Sequence, residues 1–221
     1  MRTAILVDGA FFLKRYRCLY KNKKEFNPYD PVKVAKDLYT LAHKHVENEY
    51  LYRILYYDCM PFSKKAHNPI TSKAIDFAKS NVAKFKLGFY EELKKKRKVA
   101  LRLGEVKDRF AWIIRPDKTK SLLKGKITVN DLEEDDVFYD IRQKGVDIRM
   151  GLDIASLAYK RLVDQIVLVT GDSDFVPAAK LARREGIDVI LDPMRHHIDN
   201  ALFEHIDGLK TFAPKLPSSP C

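Results

Sequence analysis

Residues 166–175 have the sequence IVLVTGDSDF, in which four apolar residues lead through Thr170 and Gly171 to a pair of aspartates. Short apolar runs that end in turn residues are typical of buried strands. The start of the chain repeats this arrangement, since the apolar run 4–7 ends at Asp8 and a glycine. Both segments therefore predict a buried strand with an acidic side chain just beyond its carboxyl end.

The rest of the chain alternates between strand and helix patterns. Strands followed by helices are typical of an α/β fold, in which a parallel sheet carries helices on both faces. We therefore predict that fold class, with a Rossmann-like arrangement. The predicted strands are 3–7, 50–57, 166–169 and 187–191, with short strands at 100–103 and 110–114, and the predicted helices are 10–21, 31–47, 71–86, 146–162 and 175–184.

The acidic residues occupy positions that a parallel sheet makes meaningful. Ligands of open α/β sheets bind at the carboxyl ends of the strands, where Asp8, Asp172 and Asp174 are expected. Asp153 lies in the most apolar helical segment, and a buried carboxylate is unfavourable unless a cation lies nearby. Simpler explanations remain open for each, because Asp172 or Asp174 can cap the next helix and Asp8 can end a strand in a turn. Asp153 can also form a salt bridge with Lys160 or Arg149.

Converging carboxylates repel one another, and a hard divalent cation resolves that repulsion. Mg²⁺ is bound by oxygen ligands and keeps several waters, which suits a site completed by a substrate phosphate. We therefore predict a Mg²⁺ or Mn²⁺ site that hydrolyses phosphodiesters. Its catalytic and metal-binding residues would be Asp8, Asp153, Asp172 and Asp174.

The chain is strongly basic, with a formal charge of +11, which favours a polyanionic partner. Most of the excess lies between residues 84 and 126, where 15 Lys and Arg face 5 Asp and Glu and aromatic residues are interleaved. We predict nucleic acid, and RNA in particular, as the partner, although a solvated basic loop without a partner remains an alternative. The predicted nucleic-acid contacts are Lys94, Lys95, Lys96, Arg97, Lys98, Arg102 and Arg109.

The organisation predicted is a single domain over residues 1–213, with a basic insertion at about 86–140 and a flexible tail at 214–221. Three cysteines without C-x-x-C spacing indicate reduced thiols instead of a disulfide framework or a zinc site. No segment has the length of a signal peptide or a membrane span, so we expect a cytoplasmic protein with no membrane partner. A homo-oligomer is possible but cannot be inferred from the sequence.

Three segments together resemble the signature blocks of NYN domains, and especially their LabA-like branch within the PIN-like nuclease superfamily. They are Val7 to Ala10, Lys144 to Asp153, and Val169 to Phe175. The resemblance implies a PIN-like fold with a Mg²⁺ or Mn²⁺ site and endoribonuclease activity. It also implies that Ser173 positions a water or a phosphate. Asp147 matches the family motif too, but it lies about 600° around the helix from Asp153, so we expect it outside the metal site.

Three further expectations concern the edge of the sheet. Lys14 and Arg15, on the helix after Asp8, are predicted to position the phosphates of the substrate. His196 and His197 are expected to lie in a surface turn without a catalytic role. Phe11 stands near a position where many family members carry a small polar residue, commonly Asn, which leaves a catalytically silent RNA-binding or assembly module as the alternative function.

Overall fold

The structure, a computed structural model, describes residues 1–21, 26–47 and 49–215 of the 221. Apart from residues 214 and 215, the predicted flexible tail lies outside the described residues. The strands are β1 (Arg2–Asp8), β2 (Tyr50–Cys59), β3 (Lys65–His67), β4 (Ala74–Asp76), β5 (Val99–Ile114), β6 (Val137–Lys144), β7 (Gln165–Val169), β8 (Asp188–Asp192) and β9 (Gly208–Leu209). The helices are α1 (Gly9–Tyr20), α2 (Pro31–Lys44), α3 (Asn81–Lys94), α4 (Pro116–Leu123), α5 (Val146–Tyr159), α6 (Val176–Arg184) and α7 (Asn200–Phe203).

Seven strands form one central sheet in the order β6-β5-β2-β1-β7-β8-β9, and only β6 pairs antiparallel to its neighbour. Helices α1, α2 and α3 pack on one face, where Ile5 and Val7 of β1 join the core. Helices α5 and α6 cover the other face, against Ala4 and Leu6. The prediction of an α/β fold with a mostly parallel sheet and helices on both faces is confirmed.

The order of the strands reverses at β1, the strand that starts the chain. From β1 the chain builds outward through β2 and β5 to β6, and it then returns to place β7 on the other side of β1. Ligands of open parallel sheets bind where the strand order switches in this way. The switch therefore lies between the carboxyl ends of β1 and β7.

Strand β5 is one continuous strand of 16 residues, whereas the sequence predicted two short strands. Its first half pairs with β2 as far as Gly104, where β2 ends. Its second half pairs only with β6, in a two-stranded antiparallel ribbon formed by residues 105–114 and 137–144. This ribbon continues past the carboxyl edge of the sheet. The sequence did not predict strand β6, because the acidic residues between Asp131 and Asp136 that precede it are typical of the first turn of a helix.

The predicted helix at 71–86 is wrong in its position. Residues 74–76 form β4 and residues 77–79 a 3-10 turn, so that α3 begins only at Asn81. The side chain of Ser80 caps α3 by accepting a hydrogen bond from the backbone N–H of Ala83 at 3.1 Å. The helix then runs to Lys94 because its apolar face packs into the core beneath α2.

Cys59 is a buried free thiol, as the sequence predicted. No helix in the described part of the chain combines the length and the apolar character that crossing a bilayer requires.

Two glycines give opposite predictions for stability. A Cβ at Gly9 would lie 2.5 Å from the Tyr56 hydroxyl and 2.6 Å from the Tyr57 carbonyl, whereas a Cβ at Gly151 in α5 meets nothing within 4 Å. Gly9→Ala should therefore lower the free energy of unfolding by about 1–3 kcal/mol through overpacking. Gly151→Ala should raise it by about 0.5–1 kcal/mol through helix propensity. Urea unfolding of both variants tests this, and equal effects would contradict the packing described around Gly9.

Candidate functional site

Asp8 lies at the carboxyl end of β1, where it also caps α1. Its Oδ1 accepts a hydrogen bond from the backbone N–H of Phe11 at 3.1 Å, and the Thr170 hydroxyl donates to its Oδ2 at 3.5 Å. Burial, together with the negative charges of Asp147 and Asp172, raises the pKa of this carboxyl from 3.8 to about 6, although two backbone N–H donors lower it. Asp8 is therefore a carboxylate held where its own charge is unfavourable.

The turn after β7 presents two more carboxylates at the same edge. The Thr170 hydroxyl accepts a hydrogen bond from the backbone N–H of Asp172 at 3.2 Å, and Asp172 Oδ1 accepts one from the N–H of Asp174 at 3.0 Å. Asp172 thereby caps the 3-10 turn Ser173–Phe175, as the structural alternative predicted. The side chains of Asp172, Ser173 and Asp174 remain exposed, so the cap leaves them available to a ligand.

Asp147 supplies the fourth carboxylate, in the first turn of α5. Burial raises its pKa, and the charges of Asp172 and Asp174 raise it further. The same carboxylate raises the pKa of Asp8. We call Asp8, Asp147, Asp172 and Asp174 the acidic cluster, because their charges act on one another. The sequence led us to expect Asp147 outside the metal site, whereas the structure places it near the other three carboxylates.

Asp153, which the sequence placed among the metal ligands, has other partners. Its Oδ2 accepts a hydrogen bond from the Tyr57 hydroxyl at 2.9 Å and pairs with the Arg102 guanidinium at 2.9 Å. Its charge is not among those that raise the pKa of Asp8 or Asp147. The expectation of a nearby cation is met by an arginine, although neither Lys160 nor Arg149 is the partner.

The geometry of α5 explains why Asp147, and not Asp153, belongs to the acidic cluster. The helix starts at the carboxyl edge of the sheet and runs away from it, so its first turn faces the acidic cluster. Asp153 lies six residues after Asp147, which is about 9 Å further along the axis and on another face. Asp147, which matches the family motif, therefore lies at the edge of the sheet. Asp153, from the apolar stripe of the helix, packs beside the sheet.

A cleft of about 450 Å³ opens beside the acidic cluster. His196 and His197 line it, although the sequence predicted only a surface turn for them. Burial lowers the pKa of His196, and the charges of Arg15, Lys14 and His197 lower it further. The signal that the sequence offered was their position just after β8, a strand of the same sheet. The residues lining the cleft are Asp8, Phe11, Gly171, Asp172, Ser173, His196, His197 and Asp199.

Of the two predicted phosphate contacts on α1, the structure leaves only one available. Arg15 is 6% exposed, and its guanidinium donates two hydrogen bonds to the carbonyl of Met194, at 3.2 and 3.1 Å. It therefore holds the loop that carries His196, which corrects the prediction for Arg15. Lys14 is exposed, and its charge acts on His196 at the cleft.

The basic run from Lys94 to Lys98 lies at the opposite edge of the sheet. Lys94 and Lys95 pair with Glu91 and Glu92, both at 2.6 Å. The Lys98 ammonium lies 3.7 Å from the centroid of the Tyr50 ring, at the start of β2. The acidic edge is seven residues further along β2, or about 23 Å away. The structure therefore does not bring this run to the acidic cluster.

The other two predicted nucleic-acid contacts are also engaged in ion pairs. Arg102 pairs with Asp153, as described above, and Arg109 lies on the ribbon, 3.8 Å from Asp140. Arg109 keeps a side chain that is 57% exposed. It is therefore the predicted basic contact that extends beyond the acidic edge.

The donor set of the acidic cluster suits a hard divalent cation. All four side chains offer carboxylate oxygens, and their mutual repulsion would be relieved by a bound positive charge. Within residues 1–21, 26–47 and 49–215, however, no three His, Cys, Asp or Glu side chains stand ready to enclose a metal ion. Such a set fits a cation like Mg²⁺, which uses one or two carboxylates and keeps its waters.

Comparison with known proteins identifies a family. Residues 75–202 match the family described as NYN domain, a segment that contains Asp147, Asp172 and Asp174 and begins after Asp8. The chain is also similar to a solved structure of a protein of unknown function from Vibrio parahaemolyticus, at 14% identity and a TM-score of 0.45. That alignment covers 94% of this chain and 90% of the other. No curated protein matches the chain.

The buried charge of Asp8 predicts a pH-dependent gain in stability for Asp8→Asn. Between pH 4 and 6 the unfolded chain releases this proton while the folded chain keeps it, so wild-type stability falls as the pH rises through that window. Asn removes the charge but keeps the helix cap. Without metal, the variant should be more stable by about 1–3 kcal/mol at pH 7.5 and equal near pH 4.

Urea unfolding in EDTA at both pH values measures this difference. The matched control is Asp30→Asn, since Asp30 caps α2 with hydrogen bonds to Val32 and Lys33 and belongs to no acidic cluster. A gain that is the same at both pH values, or that Asp30→Asn reproduces, would contradict the buried-charge explanation.

Proposed function

Because the chain belongs to the NYN domain family, within the PIN-like nuclease superfamily, we propose that it is a metal-dependent endoribonuclease. The observation that carries the proposal is the acidic cluster, in which four carboxylates from β1, α5 and the turn after β7 meet at one edge. The three signature segments further support its assignment to the LabA-like branch. Hydrolysis of RNA phosphodiesters is the reaction that such a site would perform.

A polyanionic substrate is supported by the charge of the chain, which is +11. Basic proteins attract nucleic acids electrostatically, and that attraction weakens as counterions are added. The choice of RNA over DNA rests on the family. A cytoplasmic location and the absence of a membrane partner remain predictions from the sequence.

The carboxylates would hold Mg²⁺ or Mn²⁺ against the scissile phosphate. Asp8 and Asp172 are the ligands that this proposal places first, because Asp8 ends β1 and Asp172 follows β7, the two strands that flank the switch in strand order. Asp147 and Asp174 would complete the site directly or through water. The cation would supply Lewis-acid charge to the phosphodiester and lower the pKa of an attacking water.

The other side chains of the cleft would position the substrate. The exposed Ser173 hydroxyl can donate a hydrogen bond to a phosphate oxygen, and Lys14 can pair with a neighbouring phosphate. The lowered pKa of His196 favours a neutral imidazole, which can donate one hydrogen bond without adding charge. These groups bind and orient, while the acidic cluster holds the cation.

A catalytically silent RNA-binding module is the second candidate, and Phe11 is the observation that favours it. The Phe11 ring lines the cleft. It lies so close to Gly171 that a Cβ there would be 2.7 Å from Phe11 Cε2, and the centroids of the Phe11 and His196 rings are 6.0 Å apart. An aromatic ring therefore occupies space beside Asp8 in which an amide would otherwise reach the substrate.

Cleavage should depend on Asp147 and not on Asp153. Both are aspartates of α5, but only Asp147 belongs to the acidic cluster. Asp147→Asn should reduce metal-dependent cleavage by at least about 10- to 100-fold, the reduction that is typical when a residue that supports a metal ligand is replaced. Asp153→Asn should stay within about threefold of the wild type, since its partner Arg102 is exposed enough to be solvated.

The measurement uses labelled single-stranded and hairpin RNAs with Mg²⁺, Mn²⁺ or EDTA. The double variant Asp8→Asn, Asp172→Asn controls for contaminating ribonuclease. If Asp153→Asn lost activity and Asp147→Asn kept it, the acidic cluster would be assigned incorrectly. RNA binding without cleavage by the wild-type chain in either metal would favour the silent module instead.

The affinity for the metal should decrease as the pH of the solution decreases. A metal ligand must be deprotonated, and the pKa of Asp8 in the metal-free chain is about 6. The affinity for Mn²⁺ should therefore be steady near pH 7.5 and fall by up to about tenfold for each pH unit below 6. Calorimetric titration measures this, with Asp8→Asn as the comparison. A wild-type affinity that is constant from pH 7.5 to 5 would exclude Asp8 as a ligand.

A further inference from the structure

Phe110, on the ribbon, combines two unusual properties. Its side chain is 75% exposed, and its backbone has a φ of +55°, a region that favours glycine. The residue lies where the register of β5 and β6 is irregular, between Asp108 and Trp112. Strained backbone of this kind persists only where surrounding contacts impose it, and it concentrates at binding sites.

The contacts that impose this conformation do not involve the ring itself. Asp108 Oδ1 accepts hydrogen bonds from the backbone N–H of Phe110 and from the Tyr139 hydroxyl, both at 2.8 Å. Tyr139 in turn packs against Trp112, with ring centroids 5.4 Å apart. The ribbon therefore fixes the backbone of Phe110 while its ring is left to the solvent.

A cleft of about 590 Å³ lies beside this ring, between the ribbon and residues 60–64. The Lys64 ammonium lies 4.6 Å from the centroid of the Phe110 ring and 3.3 Å from Asp108. Lys107 also lines the cleft, and no carboxylate of the described chain lies within ion-pair distance of it. An aromatic face and two ammonium groups thus share one opening, together with the carboxylates of Glu105 and Asp108.

This cleft is close to the first turn of α5. Gly104 lines the cleft, and a Cβ on it would lie 3.1 Å from Val146 Cγ2. Val146 is the neighbour of Asp147 in the chain. The cleft and the acidic cluster therefore lie at the same edge of the sheet, joined through the start of the ribbon.

We propose that this ribbon cleft binds single-stranded RNA, with one nucleobase stacked on Phe110 and its phosphates beside Lys64 and Lys107. The inference rests on the proposed function, because it assigns this cleft to the same substrate. Aromatic rings beside cations bind single strands in this way, and stacking tolerates any base. An exposed ring beside two ammonium groups fits a base and its phosphates better than it fits an apolar protein surface.

Binding of a fluorescent single-stranded RNA, measured by anisotropy in EDTA, tests the proposal without cleavage. Phe110→Ala should weaken binding about 5- to 150-fold, and Phe110→Trp should retain it. The matched control is Phe138→Ala, since Phe138 is 40% exposed on the other strand of the ribbon. It should change binding by less than about twofold. Lys107→Ala should lower the salt dependence by about one counterion.

Phe110→Gly separates binding from folding. Glycine adopts a positive φ without strain, so this variant should unfold at the same urea concentration as the wild type or a higher one, while binding RNA as weakly as Phe110→Ala. A loss of stability together with binding would show a structural role and overturn the proposal. Duplex RNA, whose bases are already stacked, should bind equally to the wild type and Phe110→Ala.

The remaining outcomes are distinguishable. Unchanged RNA binding by Phe110→Ala would overturn the proposal, even if metal-dependent cleavage were observed. If Phe110→Ala instead converted a dimer to a monomer in light scattering, without affecting RNA binding, the ring would be a contact between copies of the chain. Binding through Phe110 without any cleavage would support the ribbon cleft and reject the nuclease.

Discussion

The pairing of β1 with β7 is the constraint on which the site depends. Val7 is level with Val169 in this parallel pair, so the residues that follow them, Asp8 and Thr170, emerge at the same height. A hydrogen bond between their side chains joins the two strand ends. A shift of one residue would turn the apolar side chains of either strand toward the wrong face, and burial on both faces makes that shift unfavourable. The register that buries the core therefore also sets the spacing of the carboxylates.

The same edge shows a conflict between stability and binding. Folding buries Asp8 and brings other carboxylates near it, although each of these changes disfavours its charged form. The cap that Asp8 provides for α1 does not require a negative charge, because an asparagine side chain can accept the same hydrogen bond. Groups with strongly perturbed pKa values are found at functional sites for this reason. The edge is thus the place where the chain departs from what stability alone would select.

The sequence was most informative where a residue's position followed from the chain path. Asp8, Asp172 and Asp174 follow strands, and strand ends in a parallel sheet share one edge, so their location could be predicted. Asp153 could not be placed in this way. The sequence predicted that the apolar face of α5, which carries Asp153, is buried. It did not show where α5 begins, and the starting residue decides which turn of the helix lies at the edge. That turn carries Asp147 and not Asp153.

Basic residues were the least predictable, because charge alone does not fix a partner. Arg15 lies one residue from the exposed Lys14, yet its guanidinium is buried under the loop after β8. The densest basic run lies at the far edge of the sheet, where acids of α3 and a tyrosine ring engage it. The ribbon was also missed, since the pairing of β5 with β6 joins segments about 30 residues apart, across a charged and irregular stretch.

The continuity of β5 has a geometric consequence. The strand leaves the sheet at Gly104 and reaches Phe110 without a helix or a loop between them. The paired strand from Gly104 to Asp108 spans about 13 Å and does not change its length, and Phe110 follows it in the irregular stretch that Asp108 holds. Under the binding proposed for Phe110, the separation between a held base and the acidic cluster would be set by this count of residues. The length of the ribbon would then fix the distance from the bound base to the cleavage site, and RNA would be cut at a constant number of nucleotides from the base that Phe110 holds.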